Sequence, residues 1–162
     1  MNDIEYLKLA VEQARKSVKK GGFPAGAIVV KNGKIISKGV SVGFQIHDPT
    51  AHAETVAIRD ACKKLKTADL SGATLYGSLE CCNMCFFVSY WAGISRIVYA
   101  CRKTSDMIKK YYYEGSTKNE LLNTSNNRNI DIVFIPDLEK DSLSAIESWG
   151  GGNNLPPYGM TS

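Results

Sequence analysis

The sequence predicts an α/β fold, and three observations lead to that class. Apolar residues at helical spacing open the chain over residues 3–20. Two short runs of strand-forming residues follow, at 27–30 and 35–40. From residue 74 onward, short apolar strands alternate with helical stretches, and this order requires crossover connections between strands. The later strands are therefore expected to be largely parallel.

The first helix has start and stop signals at both ends. Asn2 and Glu5 form a capping pair at its beginning. Two glycines at 21–22 end it, since glycine readily adopts the left-handed conformation that follows many helices. The two strands after it are joined across residues 31–34, where Asn-Gly predicts a tight hairpin turn.

Residues 41–50 are predicted to form a loop that leads into the second long helix. Asp48 and Thr50 are residue types that cap helix starts. Apolar positions continue the helical pattern to Leu65. The remaining elements are predicted at 74–79 (strand), 82–93 (helix), 96–101 (strand), 130–135 (strand) and 138–149 (helix).

The length predicts one domain, over residues 1–150, followed by a tail at 151–162 that is rich in Gly and Pro. The N-terminus lacks a basic region followed by an apolar run, and no stretch is long enough to span a membrane. A cytoplasmic protein without a membrane partner is expected. Five cysteines fit reduced thiols and a metal site better than a disulfide framework.

The candidate chemistry is concentrated between His52 and Cys85. His52, Cys82 and Cys85 offer one nitrogen and two sulfurs, a set that suits zinc and leaves a fourth position for water. Glu54 adds an ionisable carboxylate, which a structural zinc site does not need and a hydrolytic site does. Cys81 is a third thiol in this stretch. It is interpreted as a small semi-buried side chain, and a Cys81–Cys85 ligand pair is the alternative.

The spacing of His52 and Glu54 constrains how the second helix is oriented. Residues two apart on a regular helix do not share a face. Both side chains can therefore meet one water molecule only if the helix points its N-terminal end at the site. That end also offers free N–H groups and positive potential, which favour a developing hydroxide.

The pattern His-x-Glu followed by Pro-Cys-x-x-Cys is the signature of zinc-dependent nucleobase deaminases. On residues 48–54, 57–59 and 79–85 the sequence resembles the cytidine and deoxycytidylate deaminase superfamily, and it is most similar to the guanine deaminase and tRNA adenosine deaminase branches. The resemblance covers residues 1–103, with Cys81 in place of the family's proline. It implies a three-layer α/β/α cytidine-deaminase-like fold, with a central mixed five-stranded sheet and helices on both faces.

The resemblance also implies a hydrolytic deaminase with one Zn²⁺ per chain, held by His52, Cys82 and Cys85. Glu54 is implied to take the proton of the attacking water and to deliver protons to the ring nitrogen and to departing ammonia. A homodimer is implied as well, because the helix after Cys82 helps to form one in the resembled family. Four aromatic residues on that helix fit a core or a subunit interface, with base stacking as the alternative: Phe86, Phe87, Tyr90 and Trp91.

Five residues are candidates for substrate contacts: Ala27, Ser41, Ala53, Trp149 and Tyr158. Ser41 stands where the resembled branches carry an asparagine, and a serine cannot supply an amide's paired donor and acceptor. Trp149 and Tyr158 are candidates because C-terminal residues close the pocket in related deaminases. A tail without such a role is the alternative for Tyr158. The adjacent tyrosines at 111–113 are expected to form a surface cluster, with a pocket wall as the alternative.

Charge favours a small molecule over nucleic acid as substrate. The net charge is only +4, and no Lys or Arg follows Lys140. A dedicated nucleic-acid binder concentrates basic residues on one face or tail. We expect the substrate to be a nucleobase or nucleoside, and a purine such as guanine or guanosine is the favoured candidate. The alternatives are a tRNA adenosine (A-to-I) deaminase, a cytosine or cytidine deaminase, and a non-catalytic zinc-stabilised binding module.

Overall fold

The computed structural model describes residues 1–111 and 117–149, without the side chains of residues 106, 109 and 110. The helices are α1 (Asp3–Lys19), α2 (Gly43–Ile46), α3 (Ala53–Leu65), α4 (Asn83–Trp91), α5 (Ser105–Tyr111), α6 (Asn119–Thr124) and α7 (Glu139–Glu147). The strands are β1 (Gly26–Lys31), β2 (Lys34–Val40), β3 (Ala73–Gly77), β4 (Arg96–Tyr99) and β5 (Asp131–Phe134). A 3₁₀ turn, Pro136–Leu138, precedes α7.

The five strands form one mixed sheet in the order β2-β1-β3-β4-β5. β1 is antiparallel to both β2 and β3, whereas β3, β4 and β5 are parallel. The parallel pairing of the later strands confirms the prediction from their alternation with helices. Asn32 and Gly33 have φ values of 52° and 69° in the turn between β1 and β2. Positive φ at both positions is what a tight Asn-Gly hairpin requires.

Alternate residues of each central strand point to opposite faces of the sheet, and each face is covered by helices. Ile28, Tyr76 and Val98 belong to one buried cluster, which they share with residues of α1 such as Leu7. Val29, Leu75 and Ile97 belong to the other, which they share with residues of α3 and α4. The molecule is therefore the predicted α/β fold with a layer of helices on either side of the sheet.

An ion pair fixes the N-terminus of α1 to the sheet, at the N-terminal ends of β4 and β5. The Asp3 carboxylate accepts two hydrogen bonds from the Arg96 guanidinium, at 2.8 and 2.9 Å, and one from the Tyr76 hydroxyl at 2.7 Å. Arg96 also donates to Asp131 on β5 at 3.0 Å. The Arg96 guanidinium thus joins β4 to α1 and β5, and the Asp3 carboxylate links α1 to β3 through Tyr76. No helix in the described part of the chain is both long and apolar enough to cross a membrane.

Sequence reasoning was wrong about the entry to α3. Part of the predicted loop at 41–50 is the short helix α2, and neither Asp48 nor Thr50 caps α3. The Asp48 carboxylate instead accepts hydrogen bonds from the Thr50 N–H and hydroxyl, at 2.8 and 2.6 Å. His52 is the N-cap residue and makes no side-chain cap hydrogen bond. Its ring instead contacts the sulfur of Cys82.

The stretch between β4 and β5 also differs from the prediction, which placed no element there. It contains α5 and α6, of seven and six residues. Helices of two turns give too few positions for a clear apolar period, so packing against the rest of the protein determines them. The predicted tail at 151–162 lies outside the described residues.

Candidate active site

Three potential metal ligands converge at one place in the fold. The donor atoms of His52, Cys82 and Cys85 all lie within 4.8 Å of one another. The Nδ1 atom of His52 is 3.4 Å from the Cys82 sulfur, which is also 3.4 Å from the backbone N–H of Cys85. One imidazole and two thiols at such distances fit a tetrahedral zinc ion with its fourth position open to water.

Each ligand is placed by the beginning of a helix. His52 is the N-cap of α3, and Cys82 is the N-cap of α4. Cys85 lies in the first turn of α4, where its side chain can point to the same side as that of Cys82. The N-terminal ends of both helices therefore face the site, as the spacing of the motif requires. Their free N–H groups add positive potential there.

Gly39 lets α3 approach the sheet closely at this point. A Cβ atom on Gly39 would collide with the carbonyl oxygen of Ala53, the first residue of α3. On the neighbouring strand, Ala27 pairs with Gly39. Ala27 and Ala53 are both fully buried. These two candidate contact residues therefore lie beside the start of α3, next to the residues that converge on the site.

Glu54 lies in the first turn of α3 and its side chain is only 5% exposed. Burial raises the pKa of this carboxyl, and the nearby Cys82 raises it further, whereas the His52 ring and the Cys85 side chain lower it. A carboxylate with a raised pKa can both accept and release a proton near neutral pH. Glu54 therefore lies close enough to His52, Cys82 and Cys85 for their charges and hydrogen bonds to act on its carboxyl.

The two thiols of the group have different surroundings. Hydrogen bonds from Cys85 and His52 lower the pKa of the Cys82 thiol. Burial raises the pKa of Cys85, whose sulfur is 3.4 Å from the Thr55 hydroxyl. Both must be thiolates to hold a metal, so zinc binding displaces a proton from Cys85.

Cys81 is buried next to this group but does not belong to it. In the described part of the chain, the metal-competent group consists of His52, Cys82 and Cys85. Burial, followed by the charges of Glu54 and Cys82, raises the pKa of the Cys81 thiol. Its backbone carbonyl accepts a hydrogen bond from the Asn119 side chain at 2.8 Å. All five cysteines are free of disulfide bonds; Cys101 is buried, and Cys62 is partly buried.

Ser41 lies directly after β2, and its side chain is largely buried. Its carbonyl accepts a hydrogen bond from the Ser17 hydroxyl at 2.9 Å, and the same hydroxyl donates to the Phe23 carbonyl at 2.6 Å. Ser17 thus joins the loop before β1 to the segment after β2. Phe23 packs against the buried cluster that contains Ala53 at the start of α3, and Ser17 links Ser41 to Phe23.

Trp149 is half-buried against two other aromatic residues. Its ring centroid is 5.2 Å from that of Phe23 and 6.4 Å from that of Tyr111. The Phe23 and Tyr111 rings are 5.7 Å apart. We call these three residues the aromatic triad. Tyr111 is therefore packed rather than part of a surface cluster, while Tyr158 and residues 112–113 lie outside the described residues.

Sequence reasoning assigned no role to several residues near the ligands. Thr55, Glu80 and Asn119 contact the metal-binding segments or the chain next to them through long-range hydrogen bonds. Glu80 has a signal in the sequence, because it is an acidic residue between an apolar strand and the cysteines. Asn119 has none, since its partners are far away along the chain.

Comparison with known proteins identifies relatives along the chain. The family model described as the cytidine and deoxycytidylate deaminase zinc-binding region matches residues 1–101. The guanine deaminase of Bacillus subtilis (strain 168) is 36% identical over 159 residues, which are 98% of this chain and 100% of that protein. A tRNA-specific adenosine deaminase of Aquifex aeolicus (strain VF5) is 42% identical over 95 residues, which are 59% of this chain and 63% of that protein. The chain thus spans less than two thirds of the Aquifex protein.

Solved structures include members of both groups of relatives. The crystal structure of Bacillus subtilis guanine deaminase has a TM-score of 0.66 at 33% identity and covers 98% of this chain and 99% of its own. A guanine deaminase from Nitrosomonas europaea has a TM-score of 0.77 at 26% identity, covering 89% and 82%. A structure from a study of A-to-I editing by tRNA:A34 deaminases has a TM-score of 0.74 at 27% identity, covering 88% and 99%.

Proposed function

Because the chain belongs to the cytidine and deoxycytidylate deaminase family, we propose that it deaminates a purine base or nucleoside by hydrolysis. Guanine or guanosine is the proposed substrate. The family makes the chain a hydrolytic deaminase with one zinc ion as its cofactor. The substrate and the role of each residue are the proposal. The products are the corresponding oxo base and ammonia.

His52, Cys82 and Cys85 are proposed to hold the zinc ion. When bound, zinc lowers the pKa of a water molecule and makes it a nucleophile at neutral pH. Glu54 is the proton carrier: it takes the proton of the attacking water and passes it to the ring nitrogen next to the reacting carbon. Once the water oxygen has bonded to that carbon, Glu54 moves the remaining proton of this oxygen to the amino group, which leaves as ammonia while the C–N bond breaks and the C=O double bond forms. The buried position and raised pKa of Glu54 support this role.

The observation that carries the choice of a guanine-type substrate is the extent of the similarity. The Bacillus subtilis guanine deaminase aligns with nearly the whole chain, including the region after residue 103. The aromatic triad supports a flat heteroaromatic substrate, because aromatic rings pack well against a planar base. We propose that Trp149 contributes to the pocket wall and that Ala27, Ser41 and Ala53 line it. Tyr158 remains a prediction.

A tRNA adenosine deaminase is the second candidate, and the higher identity to the Aquifex protein, 42%, favours it. That identity extends over 95 residues, 59% of this chain, whereas the Bacillus subtilis guanine deaminase aligns over 159 residues. An RNA substrate would have to be flipped into the pocket and held by basic residues around the rim. The chain after Lys140 lacks Lys and Arg, so we place this function second.

We also propose a homodimer that uses α4. Trp91, at the end of this helix, is 84% exposed, and Phe87 is 36% exposed on the same helix. Phe86, by contrast, is fully buried in the core. Large aromatic side chains left on one helix are typical of a protein interface. A cytoplasmic location, expected from the sequence, stays a prediction.

Ammonia release by the zinc-loaded protein tests the proposed substrate. The panel consists of guanine, guanosine, adenine, adenosine, cytosine, cytidine and a tRNA anticodon stem-loop. We expect release from guanine or guanosine. Glu54→Ala provides the blank, because any ammonia that it also releases does not come from this site. Release from cytosine or cytidine alone would contradict the purine preference.

A further inference from the structure

The Glu80 carboxylate binds two backbone N–H groups from distant parts of the chain. Its Oε2 atom accepts from Lys103, and its Oε1 atom accepts from Asn119, both at 2.9 Å. The Glu80 side chain is only 2% exposed. Hydrogen bonds to an ionised carboxylate are strong, and more so away from water. The Glu80 side chain thus joins the segment after β4 to the start of α6.

Two more hydrogen bonds join the same segments. The Lys103 ammonium donates to the carbonyl of Thr117 at 3.0 Å. The Asn119 side-chain amide donates to the carbonyl of Cys81 at 2.8 Å. The Oδ1 atom of Asn119 is buried and has no hydrogen-bond partner in the described part of the chain. An unpaired buried acceptor is unfavourable, so the amide is oriented for its contact with Cys81.

Lys103, one of the two residues that Glu80 holds, leads directly into α5. Thr104 follows Lys103, and its hydroxyl accepts from the N–H of Met107 at 3.3 Å, as in a helix cap. Met107 is buried in the same cluster as Cys81 and Cys85. The last residue of α5 is Tyr111, a member of the aromatic triad. The position of Tyr111 therefore depends on how the beginning of α5 is fixed.

We propose that Glu80 is a positioning residue for the substrate pocket, because its carboxylate fixes α5 relative to the Cys81–Cys85 turn and so holds Tyr111 in the aromatic triad. The pocket assignment of the triad rests on the proposed function. Glu80 acts through α5 and does not contact the reacting atoms. The role needs two acceptor oxygens, which a carboxylate offers and an amide does not, since a glutamine has one acceptor and one donor group.

Glu80→Gln tests the proposal, and Glu120→Gln is its matched control. Both carboxylates line the same cavity of about 470 Å³. Glu120 accepts a hydrogen bond from the Tyr99 hydroxyl at 2.9 Å, which a glutamine can still accept. The control therefore removes a negative charge at the same place and leaves the bonds to Lys103 and Asn119 intact.

Hydrogen exchange and zinc content are measured first, because neither needs a substrate. In Glu80→Gln we expect faster exchange in α5, with zinc still bound at one per chain and exchange in β1 and α1 unchanged. Glu120→Gln should match the wild type throughout. Unchanged exchange in α5, or equal acceleration in both variants, would overturn the proposal.

Steady-state kinetics on guanine separate positioning from general loss of structure. We expect Glu80→Gln to raise KM by about tenfold, the order of one lost charge-assisted hydrogen bond, with kcat changed less than KM. A fall in kcat alone would overturn the positioning role. If wild-type protein does not act on guanine, the proposed substrate is wrong, whereas the exchange measurement still tests the contact itself.

A second pair of variants applies if Glu80→Gln fails to fold or bind zinc. Asn119 is the first residue of α6 and follows an extended residue, Lys118. Proline is well tolerated at such a position, so Asn119→Pro removes the N–H that donates to Glu80 Oε1. Because the two bonds together orient the carboxylate, losing this one should loosen the bond between Oε2 and Lys103, on which the position of α5 depends. Asn119→Ala removes the side-chain bond to Cys81 and keeps the N–H. Faster α5 exchange in Asn119→Pro than in Asn119→Ala supports the proposal, and equal exchange overturns it.

Discussion

At the residue scale, Glu54 combines two properties that acid–base chemistry needs. It is buried beside three metal-competent side chains, and burial raises the pKa of its carboxyl. The sequence predicted this group from the spacing of its four members, because the starts of two helices can bring such side chains together. The members are His52, Glu54, Cys82 and Cys85. The hydrogen bonds of Glu80 and Asn119 were not predictable, since each joins positions far apart in the chain.

Replacing Glu54 should separate metal binding from catalysis. Glu54→Gln keeps the size of the side chain but cannot carry a proton. We expect zinc at one per chain and a loss of kcat on guanine of at least about 10²-fold, the usual contribution of a positioned acid or base. Metal analysis and ammonia release on the same preparation check this. Turnover near the wild-type rate would exclude Glu54 as the proton carrier.

Cysteine variants should distinguish the ligands from their neighbour. Cys82→Ser replaces a proposed ligand, so we expect weak zinc binding and loss of turnover. Cys81→Ser changes a buried thiol outside the metal-competent group, and we expect zinc to be retained. Zinc content after dialysis against a mild chelator is the measurement. If Cys81→Ser lost its zinc and Cys82→Ser kept it, the ligand assignment would be wrong.

At the element scale, the long helices and the strands follow from their sequences, whereas the short helices do not. The Asn2–Glu5 capping box of α1 is formed as predicted, with the N–H of Glu5 donating to Asn2 at 3.0 Å. α2, α5 and α6 have four to seven residues. Their positions depend on tertiary contacts such as the bond of Lys103 to Glu80.

The Asp3–Arg96 ion pair, which fixes α1 to the sheet, should make the free energy of unfolding depend on pH. The hydrogen bonds from Arg96 lower the pKa of Asp3 below its ordinary value of 3.8. A carboxylate with a depressed pKa stabilises the fold above its unfolded-state pKa, and this contribution is lost as the pH falls through its folded-state pKa. Asp3→Asn should therefore destabilise the protein by about 1 kcal/mol at pH 7, allowing for partial solvent screening.

Urea unfolding of the zinc-free protein at pH 7 and at pH 3 measures this difference. The effect of Asp3→Asn should shrink at the lower pH, because pH 3 lies below the ordinary pKa of 3.8, so that the unfolded chain binds a proton at Asp3. Asp131→Asn is the matched control: Asp131 makes one bond to the same Arg96 and its side chain is 64% exposed. We expect a smaller effect from it. An Asp3→Asn cost that does not change with pH would mean that packing, not charge, accounts for the loss.

At the scale of the whole molecule, the exposed aromatic face of α4 bears on assembly. Trp91 is the most exposed of the large apolar residues in the described part of the chain, at 84%. The end of this helix is fixed by Arg128, which donates to the carbonyls of Tyr90 and Ile94 at 2.6 and 2.8 Å. The sequence predicted the aromatic set, but it could not divide the set into core and surface, because that division depends on how α4 lies against the sheet.

Trp91→Glu should weaken a dimer by at least about tenfold in its dissociation constant, because a central aromatic side chain contributes strongly to an interface. Ile46→Glu is the control, since Ile46 is 56% exposed on α2 and away from α4. Sedimentation equilibrium over a range of protein concentrations measures both. A monomeric wild type, or equal weakening by the two variants, would argue against an α4 interface.

The most direct test of the proposed function compares kcat/KM for guanine with kcat/KM for the tRNA anticodon stem-loop, on one zinc-loaded preparation. The full-length similarity to guanine deaminase and the scarcity of basic residues near the C-terminus predict a preference for guanine of at least about 100-fold, the discrimination that a few kcal/mol in the transition state provides. Conversion of the stem-loop with no release of ammonia from guanine would contradict the small-molecule assignment and make the chain an RNA deaminase.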